Sequence, residues 1–498
     1  MLLYVAMALT DNSRPFHGNA EVHGLEYPDG VRFAEDIALS RAETRIPKER
    51  YTSPAFARRE AERLWKQVWQ MACRAEDIPA GGDYVEYCIG DQSFLVVRGH
   101  DGTVRAFANV CRHRGNTLRT GSGRCNQIRC RYHGWTWALD GRLTDIPDRH
   151  LTVEVDDEDY RLAEAAVGEW AGFIFIHPDR RHAPPLADFL DELPAQLAPY
   201  HLERMRATTD ITLRLACNWK VAIEAFLEVY HVQKIHPQLM PRVDDVNTAF
   251  ELIGEHSRMI VPYGVPSMRL EDIDPVRTYR AFGESSSALL TNAAGSVPAE
   301  PNGETAHTPP APPLPAELFD EEGRLVGDQT VRAYLIEQTR RKGEAMGHDY
   351  SGLSDAQLID DWHYFIFPGL VFNTHAGGFY LFRIRPAVTP GFGADPDSCL
   401  FDLFIFRWPD ETAPPPERVP HLEADPATTS FGKVLDQDFA NLPGVQRGLH
   451  SDLLSEVTLL TSEVRIVHLH RVLDRYLTDD LDVTEGAPAA APAVTPGR

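Results

Sequence analysis

The chain has 498 residues, long enough for two or three domains and a sizeable buried site. Its 49 Lys and Arg against 73 Asp and Glu leave a formal charge of -24, which argues against nucleic acid or an anionic membrane surface as the main partner. Seven thinly spread cysteines argue against a disulfide framework and for a reduced, cytoplasmic setting. Residues 1–54 read as an N-terminal arm. Its apolar opening, MLLYVAMALT, lacks a basic leading region and a small-residue cleavage site, is too short to span a bilayer, and leaves Met7 as an alternative start. Ser53-Pro54 suits a helix start. From about 83 to 137, the runs DYVEYCIG, QSFLVVRG, TVRAFANV and TWALDGRL are punctuated by Gly90-Asp91, Asp101-Gly102 and Asp140-Gly141, which predicts a small antiparallel β unit with hairpin turns. Further on, ATTDITLRLACNWKVAIEAFLEVYHVQKIHP predicts a strand and then a helix stopping near Pro237. Residues 284–316 form a Ser/Ala/Pro-rich stretch expected to be a mobile insert. Strands are expected in YFIFPGLVFNTH, GFYLFRIRPA and SCLFDLFIFRW, then a helix with Ile466, Leu469, Leu473 and Tyr476 on one face, and a disordered tail over 484–498.

Within the β unit, residues 111–135 place Cys111-x-His113 and Cys130-x-x-His133 sixteen residues apart. Four such ligands could make a tetrahedral zinc site, but zinc motifs usually pair cysteine with cysteine and histidine with histidine. One thiolate and one imidazole per loop suits an asymmetric two-iron, two-sulfide cluster, where two cysteines reach one iron and two histidines the other. Gly115 and Gly134 allow the tight bends such loops need. Cys125 fits neither pair and reads as a spare thiol. Arg112, Arg114, Arg119, Arg124, Arg129 and Arg131 share this stretch with no acidic residue, as a solvated rim or as a docking face for an acidic electron donor.

The lead-in VRAFANVCRHRG and the exit CRYHGWTWALDG resemble the Rieske domain of ring-hydroxylating oxygenase large (alpha) subunits. An electron relay of that kind needs a second metal, and the later segment carries Glu224, Glu228, His231 and His236. On a regular helix the two histidines lie about 140° apart, so the helix must loosen or end between them. Two histidines and a carboxylate make the facial triad of non-haem iron(II) oxygenases. Glu228, one turn before His231, is better placed to hold its imidazole than to share its metal. The segment GKVLDQDFANLPGVQRGLHS is similar to the family's ligand-bearing stretch, with Asp438 followed by Gln446, Gly448 and Leu449; Asp436 is the close rival, and Asp360 and Asp361 are further ones. His468 and His470, two apart on a helix, point in nearly opposite directions and cannot share a metal.

The resemblance implies an α+β chain: a small antiparallel β Rieske domain over 55–175 and a helix-grip (START-like) catalytic domain over 176–483, with a curved antiparallel sheet. It implies one [2Fe-2S] cluster on Cys111, His113, Cys130 and His133, and one mononuclear Fe(II) on His231, His236 and Asp438. Electrons would come from NAD(P)H through a separate flavin reductase, with or without a ferredoxin. The oxygenase would be a homotrimer, with or without a small beta subunit, in which Glu228 bridges electrons from His133 of a neighbouring chain to His231. Oxygen and a small organic substrate complete the partners; no nucleic acid or membrane is expected. Ring cis-dihydroxylation of an apolar aromatic or cyclic substrate stands ahead of monooxygenase or O-/N-demethylase chemistry, including quaternary ammonium oxidation. A glutamate at 228, where most members have aspartate, is shared with oxidisers of quaternary ammonium compounds, but no aromatic cage is evident from sequence. A non-catalytic electron carrier or ligand-binding protein would leave His231, His236 and Asp438 without a role. Phe226, Leu227 and Phe372 are expected pocket residues, while Ala225 and Gly369 stand where the family usually has asparagine and are expected to remove amides near the pocket.

Overall fold

Strands alternating in polarity, such as Asp83–Ile89, flank fully buried ones, such as Phe173–His177, in the first sheet. In the computed structural model, which describes residues 25–271, 274–282, 313–389, 393–412 and 419–478, seven antiparallel strands run in the order Gln70–Arg74, Phe173–His177, Glu164–Trp170, Val104–Ala108, Gln92–Arg98, Asp83–Ile89 and Ser122–Arg124. Residues 1–24, most of the expected insert and the expected tail lie outside the described residues. Gly90 and Gly102 turn the two hairpins at φ 56° and 81°, the left-handed region that favours glycine. A three-stranded sheet of Ile128–Arg129, Thr136–Trp137 and Leu143–Asp145 packs alongside, around Leu95, Phe107, Ile128, Trp135 and Trp137.

The larger sheet has nine strands, in the order Arg32–Phe33, Ala249–Ile253, His256–Val261, Asp361–Ile366, Leu370–His375, Gly378–Thr389, Gly393–Arg407, Arg206–Leu215 and Leu422–Ala424. Every pairing is antiparallel except the last. Strand register aligns Met259, His363, Asn373, Tyr380, Ile405 and Thr209 into one rung across six strands. With a period of two, neighbouring residues face the other way. There Phe372, Phe379 and Phe406 pack on Phe173 of the first sheet at centroid distances of 5.5, 6.1 and 5.9 Å. Arg383 reinforces the junction by donating to the carbonyls of Met71 and Ala72 at 3.1 and 2.8 Å. Burial alone would raise the Asp402 carboxyl behind it, but Arg383 and Arg385 hold it well below the usual range.

The helix expected to run towards Pro237 is shorter. It spans Trp219–Glu224, and only one further turn, Val232–Ile235, forms before His236. The bonds tighten first, with Phe226 N donating to Ile223 O and Leu227 N to Glu224 O. The Glu228 carboxylate then takes the His231 backbone N–H at 3.1 Å, displacing a helical carbonyl. Asn218 caps the helix start through Lys220 N, and its own N–H donates to Gln446 Oε1 at 3.0 Å. Gln446 lies on the helix Lys433–Leu449, so this bond ties together the two elements that carry the candidate iron ligands. Below them Lys220 Nζ meets Glu60 Oε1 at 2.6 Å, both side chains fully enclosed, and burial pushes Glu60 up and Lys220 down. The last helix, Val464–Leu477, buries Ile466, Leu469 and Leu473 and half-buries Tyr476.

Candidate metal centres and substrate cavity

The two cysteine-histidine loops repeat one bonding pattern. Cys111 N donates to Asn116 O at 2.8 Å and Gly115 N to Cys111 O at 3.0 Å; Cys130 N donates to Trp135 O at 2.8 Å and Gly134 N to Cys130 O at 3.1 Å. Gly115 and Gly134, at φ 75° and 82°, occupy the equivalent left-handed position in each loop. Both thiols are buried, His113 is exposed and His133 half-buried, so the histidine side faces outwards. The imidazoles lie 4.8 Å apart, and His113 stacks on Trp135 at 4.9 Å. Burial opposes the Cys130 thiolate, but the Tyr132 N–H at 3.4 Å and the Asn116 amide at 3.8 Å bring its pKa below the ordinary thiol value. His133 Nδ1 is buried with no hydrogen-bond partner, a polar atom that wants a ligand. Two thiolates inside and two imidazoles outside are a donor set that fits a [2Fe-2S] cluster.

The arginines of this stretch divide. Arg119 donates to the carbonyls of Leu118, Gln127 and Arg129 and ties the loops together, while Arg124 pairs with Asp83 at 2.8 Å. Arg112, Arg114 and Arg131 are exposed near the histidine tip, Arg114 over the Tyr132 ring at 4.9 Å.

The broken helix brings a second set together. His236 Nε2 lies 2.9 Å and His231 Nε2 3.6 Å from Asp438 Oδ1, and one ligand atom from each of the three residues falls within 4.8 Å of the others. Each imidazole is held from behind: His231 Nδ1 by Glu228 Oε1 at 2.6 Å, and His236 Nδ1 by Gln437 Oε1 at 2.9 Å, itself fixed by the Gln238 amide at 2.7 Å. An Nδ1–H donated backwards leaves the Nε2 lone pair facing Asp438, the arrangement a metal requires. Two imidazoles and one carboxylate with open positions fit Fe(II). Burial works against a charged His231, yet Glu228 and Asp438 outweigh it and leave its pKa above the ordinary histidine value.

Asp436 and Asp360, two of the rival carboxylates, are engaged elsewhere. Asp436 takes Phe431 N at 2.7 Å and the Ser430 hydroxyl, closing the turn before its helix. Asp360 pairs with Arg332 and accepts Tyr263 N at 2.9 Å, and Asp361 stands on the sheet. His470 is held by Tyr51 at 3.0 Å and Glu224 at 2.9 Å, and burial takes His468 down to about 4.

A cavity of about 740 Å³ lies between the triad and the large sheet. Phe226, Val232, Phe382 and Leu403 give it apolar walls; Asp361, His363, Asn373, His375, Tyr263 and Tyr380 give it a polar one, with Arg242 beside Tyr263. Phe226 lines it as expected, but Leu227 and Phe372 do not: Leu227 is in the core, and Phe372 faces the first sheet. Gly369 is also absent from the lining, since a Cβ there would meet Ile384 O at 2.2 Å, so its lack of a side chain serves strand packing. Sequence reasoning missed Gln437, Asn373, Tyr263, Tyr380 and Arg242. The signal for Asn373 and Tyr380 is alternate spacing at 361/363, 373/375 and 380/382, legible only once strand register is known.

Two family models match the chain: a Rieske [2Fe-2S] domain over residues 68–155, and the ring hydroxylating alpha subunit (catalytic domain) over 202–295 and 302–479. Among curated relatives, the glycine betaine monooxygenase oxygenase subunit of Chromohalobacter salexigens is 33% identical over 208 residues, 42% of this chain and 46% of that one. The carnitine monooxygenase oxygenase subunit of Acinetobacter pittii is 32% identical over 195 residues, 39% and 52% of the two chains. The chloroplastic choline monooxygenase of Beta vulgaris is 32% identical over 203 residues, 40% and 46%. The alignments thus span about half the length of these relatives. Among solved structures, a quaternary ammonium Rieske monooxygenase in complex with L-carnitine superposes with a TM-score of 0.58 at 18% identity, covering 90% of this chain and 98% of that one. A naphthalene 1,2-dioxygenase with indole in its active site gives 0.57 at 17%, covering 88% and 93%. With the cluster loops, the histidine-aspartate set and both family models in one order along the sequence, the chain belongs to the ring-hydroxylating oxygenase alpha subunits, Rieske proteins that carry a [2Fe-2S] cluster and a mononuclear iron.

Proposed function

We propose that this chain is the oxygenase component of a monooxygenase acting on a small quaternary ammonium compound. The observation that carries the reading is the 32–33% identity to three oxygenases named for glycine betaine, carnitine and choline, whereas the likeness to an aromatic dioxygenase is one of fold. Ring cis-dihydroxylation, placed first from sequence, therefore gives way to the ammonium alternative. The cavity supports the change, because the rings of Phe226, Tyr263, Tyr380, Phe382 and Phe431 line it and aromatic faces attract a quaternary cation.

In this reading Cys111, His113, Cys130 and His133 hold the cluster, and His231, His236 and Asp438 hold Fe(II). The iron, when bound, supplies reductive activation of dioxygen with electrons relayed by the cluster from a separate reductase. Glu228 fixes the His231 tautomer and Gln437 that of His236, while the apolar walls keep water from the bound substrate. Glu228 also serves as the bridge between subunits of a trimer: its neighbour Tyr230 is 45% exposed and Tyr132, beside the cluster ligand His133, is 56% exposed, two aromatic surfaces suited to meet across an interface. Among the described residues no helix is long and apolar enough to cross a membrane.

The test is substrate-dependent NADH oxidation by the iron-loaded protein with a surrogate reductase. Choline, glycine betaine and carnitine are compared with naphthalene and indole. Coupled turnover with an ammonium compound is expected; turnover confined to the aromatic compounds would overturn the reading.

A further inference from the structure

The two histidines of the iron site are backed unequally. His231 Nδ1 meets a carboxylate, Glu228 Oε1, at 2.6 Å, while His236 Nδ1 meets a neutral amide, Gln437 Oε1, at 2.9 Å. The run Asp436-Gln437-Asp438 gives three neighbours on one helix three different tasks. At about 100° per residue their side chains fan out. Asp436 turns to Ser430 and the Phe431 N–H, Asp438 turns to the histidines, and Gln437 reaches behind His236.

An amide has two ends, and one of them suits a metal site. The oxygen accepts from Nδ1–H and leaves the Nε2 lone pair for the metal; an NH2 turned to Nδ1 would require the opposite tautomer, with Nε2 protonated. The terminal torsion of glutamine is broad and nearly two-fold, so the side chain by itself does not choose. Gln238 supplies the bias. It stands in the turn after His236, where Leu239 N donates to His236 O at 2.8 Å, and its Nε2 donates to the same Gln437 Oε1 at 2.7 Å. One oxygen therefore serves both donors.

Charge gives this arrangement its consequence. Among the described residues, Asp438 is the carboxylate of the triad and Glu228 the one bonded to a ligand imidazole from behind. These two negative charges match ferrous iron, and ferric iron would leave a positive charge over. A third carboxylate behind His236 would cancel that charge and favour the ferric state. An iron that must take an electron from a cluster works best without it. We propose that Gln437, oriented by Gln238, is a positioning residue that keeps the His236 side of the site uncharged and so raises the reduction potential of the iron. The inference rests on the placement of iron on His231, His236 and Asp438, and not on the ammonium substrate.

Anaerobic redox titration of the full-length, cluster-containing, iron-loaded protein tests it. The electron paramagnetic resonance of ferric iron reads the potential without substrate or turnover. Gln437→Glu is expected to favour ferric over ferrous iron about tenfold, a fall of about 59 mV for one electron. Gln238→Glu tests the orientation, because a carboxylate there cannot donate to Gln437 Oε1 and draws the amide NH2 towards itself. It is expected to weaken Fe(II) binding several-fold against a chromogenic chelator, whereas Gln437→Glu is expected to leave that binding at least as tight as in wild type. Charge alone would make the two glutamates act alike. Cluster absorbance and melting temperature confirm that each variant is folded. A Gln437→Glu potential within about twofold of wild type, or about 18 mV, overturns the proposal. So does an effect of the same sign on Fe(II) affinity in both variants, or loss of iron from a folded Gln437→Glu protein. Wild type that binds no mononuclear iron at these residues would remove the site itself, and the inference with it.

Discussion

Replacing Glu228 by glutamine preserves the shape behind His231 and removes the charge. In the native site both carboxylate oxygens serve that residue, Oε1 on Nδ1 at 2.6 Å and Oε2 on the backbone N–H at 3.1 Å. Losing a charged partner of a metal-bound imidazole typically costs about 10–100-fold in metal affinity, or about 1.4–2.7 kcal/mol. The pH dependence adds a second signature. Because the folded pKa of His231 is raised, protons compete with iron from a higher pH than usual, and wild-type affinity falls as pH drops through that value. Glutamine relaxes the pKa downwards, so the deficit is expected to be full at pH 8 and narrower at pH 6. Titration of Fe(II) against a chromogenic chelator, on protein with its cluster intact, measures both. An affinity within about twofold of wild type at both pH values would refute the assigned role.

Glu60→Ala strands the enclosed Lys220 ammonium and is expected to cost about 3–5 kcal/mol; Glu60→Gln costs less. At about 2.1 cal/mol/K per residue, a chain of 498 residues melting as one unit loses about 3–5 °C, read by calorimetry. Asp361 is raised from 3.8 to about 7, so its contribution to stability is present at low pH and lost as pH rises through the folded value. Asp361→Asn is therefore expected to stabilise the substrate-free protein at pH 8 by up to about 4 kcal/mol, an advantage that fades below pH 7 and is gone near pH 4. For the electron donor, the exposed Arg112, Arg114 and Arg131 are expected to make cluster reduction slow down as salt rises, and Arg131→Ala to flatten that dependence in stopped-flow traces. A reduction rate flat from low to high ionic strength would remove the docking surface.

What sequence could convey depended on how local the information was. Strands Asp83–Ile89, Gln92–Arg98 and Val104–Ala108 were legible because alternation and hairpin glycines lie within a few residues of one another. The cluster loops were legible for the same reason, since each cysteine and histidine share one short loop. The helix before His231 was over-extended, because its apolar spacing continues past Glu224 while the Glu228 side chain captures the backbone N–H that would have carried it on. Asp436 and Asp438, two apart, differ only in what they face, and Ser430 with the Phe431 N–H accounts for the first. Leu227, in the turn after the helix, and Phe372, on a strand, passed for pocket residues because hydrophobicity does not tell a face towards the core from one towards the cavity. The polar wall stayed hidden because it exists only in register: His363, Asn373 and Tyr380 come from three strands and meet on one rung.

The most direct test of the central claim is the product formed under oxygen-18 gas with choline and the iron-loaded protein, analysed by mass. One labelled oxygen atom is expected in the aldehyde formed from the ammonium compound, trapped by reduction before it exchanges with water. Two labelled atoms in a ring cis-diol formed from naphthalene, with no ammonium compound consumed, would contradict it.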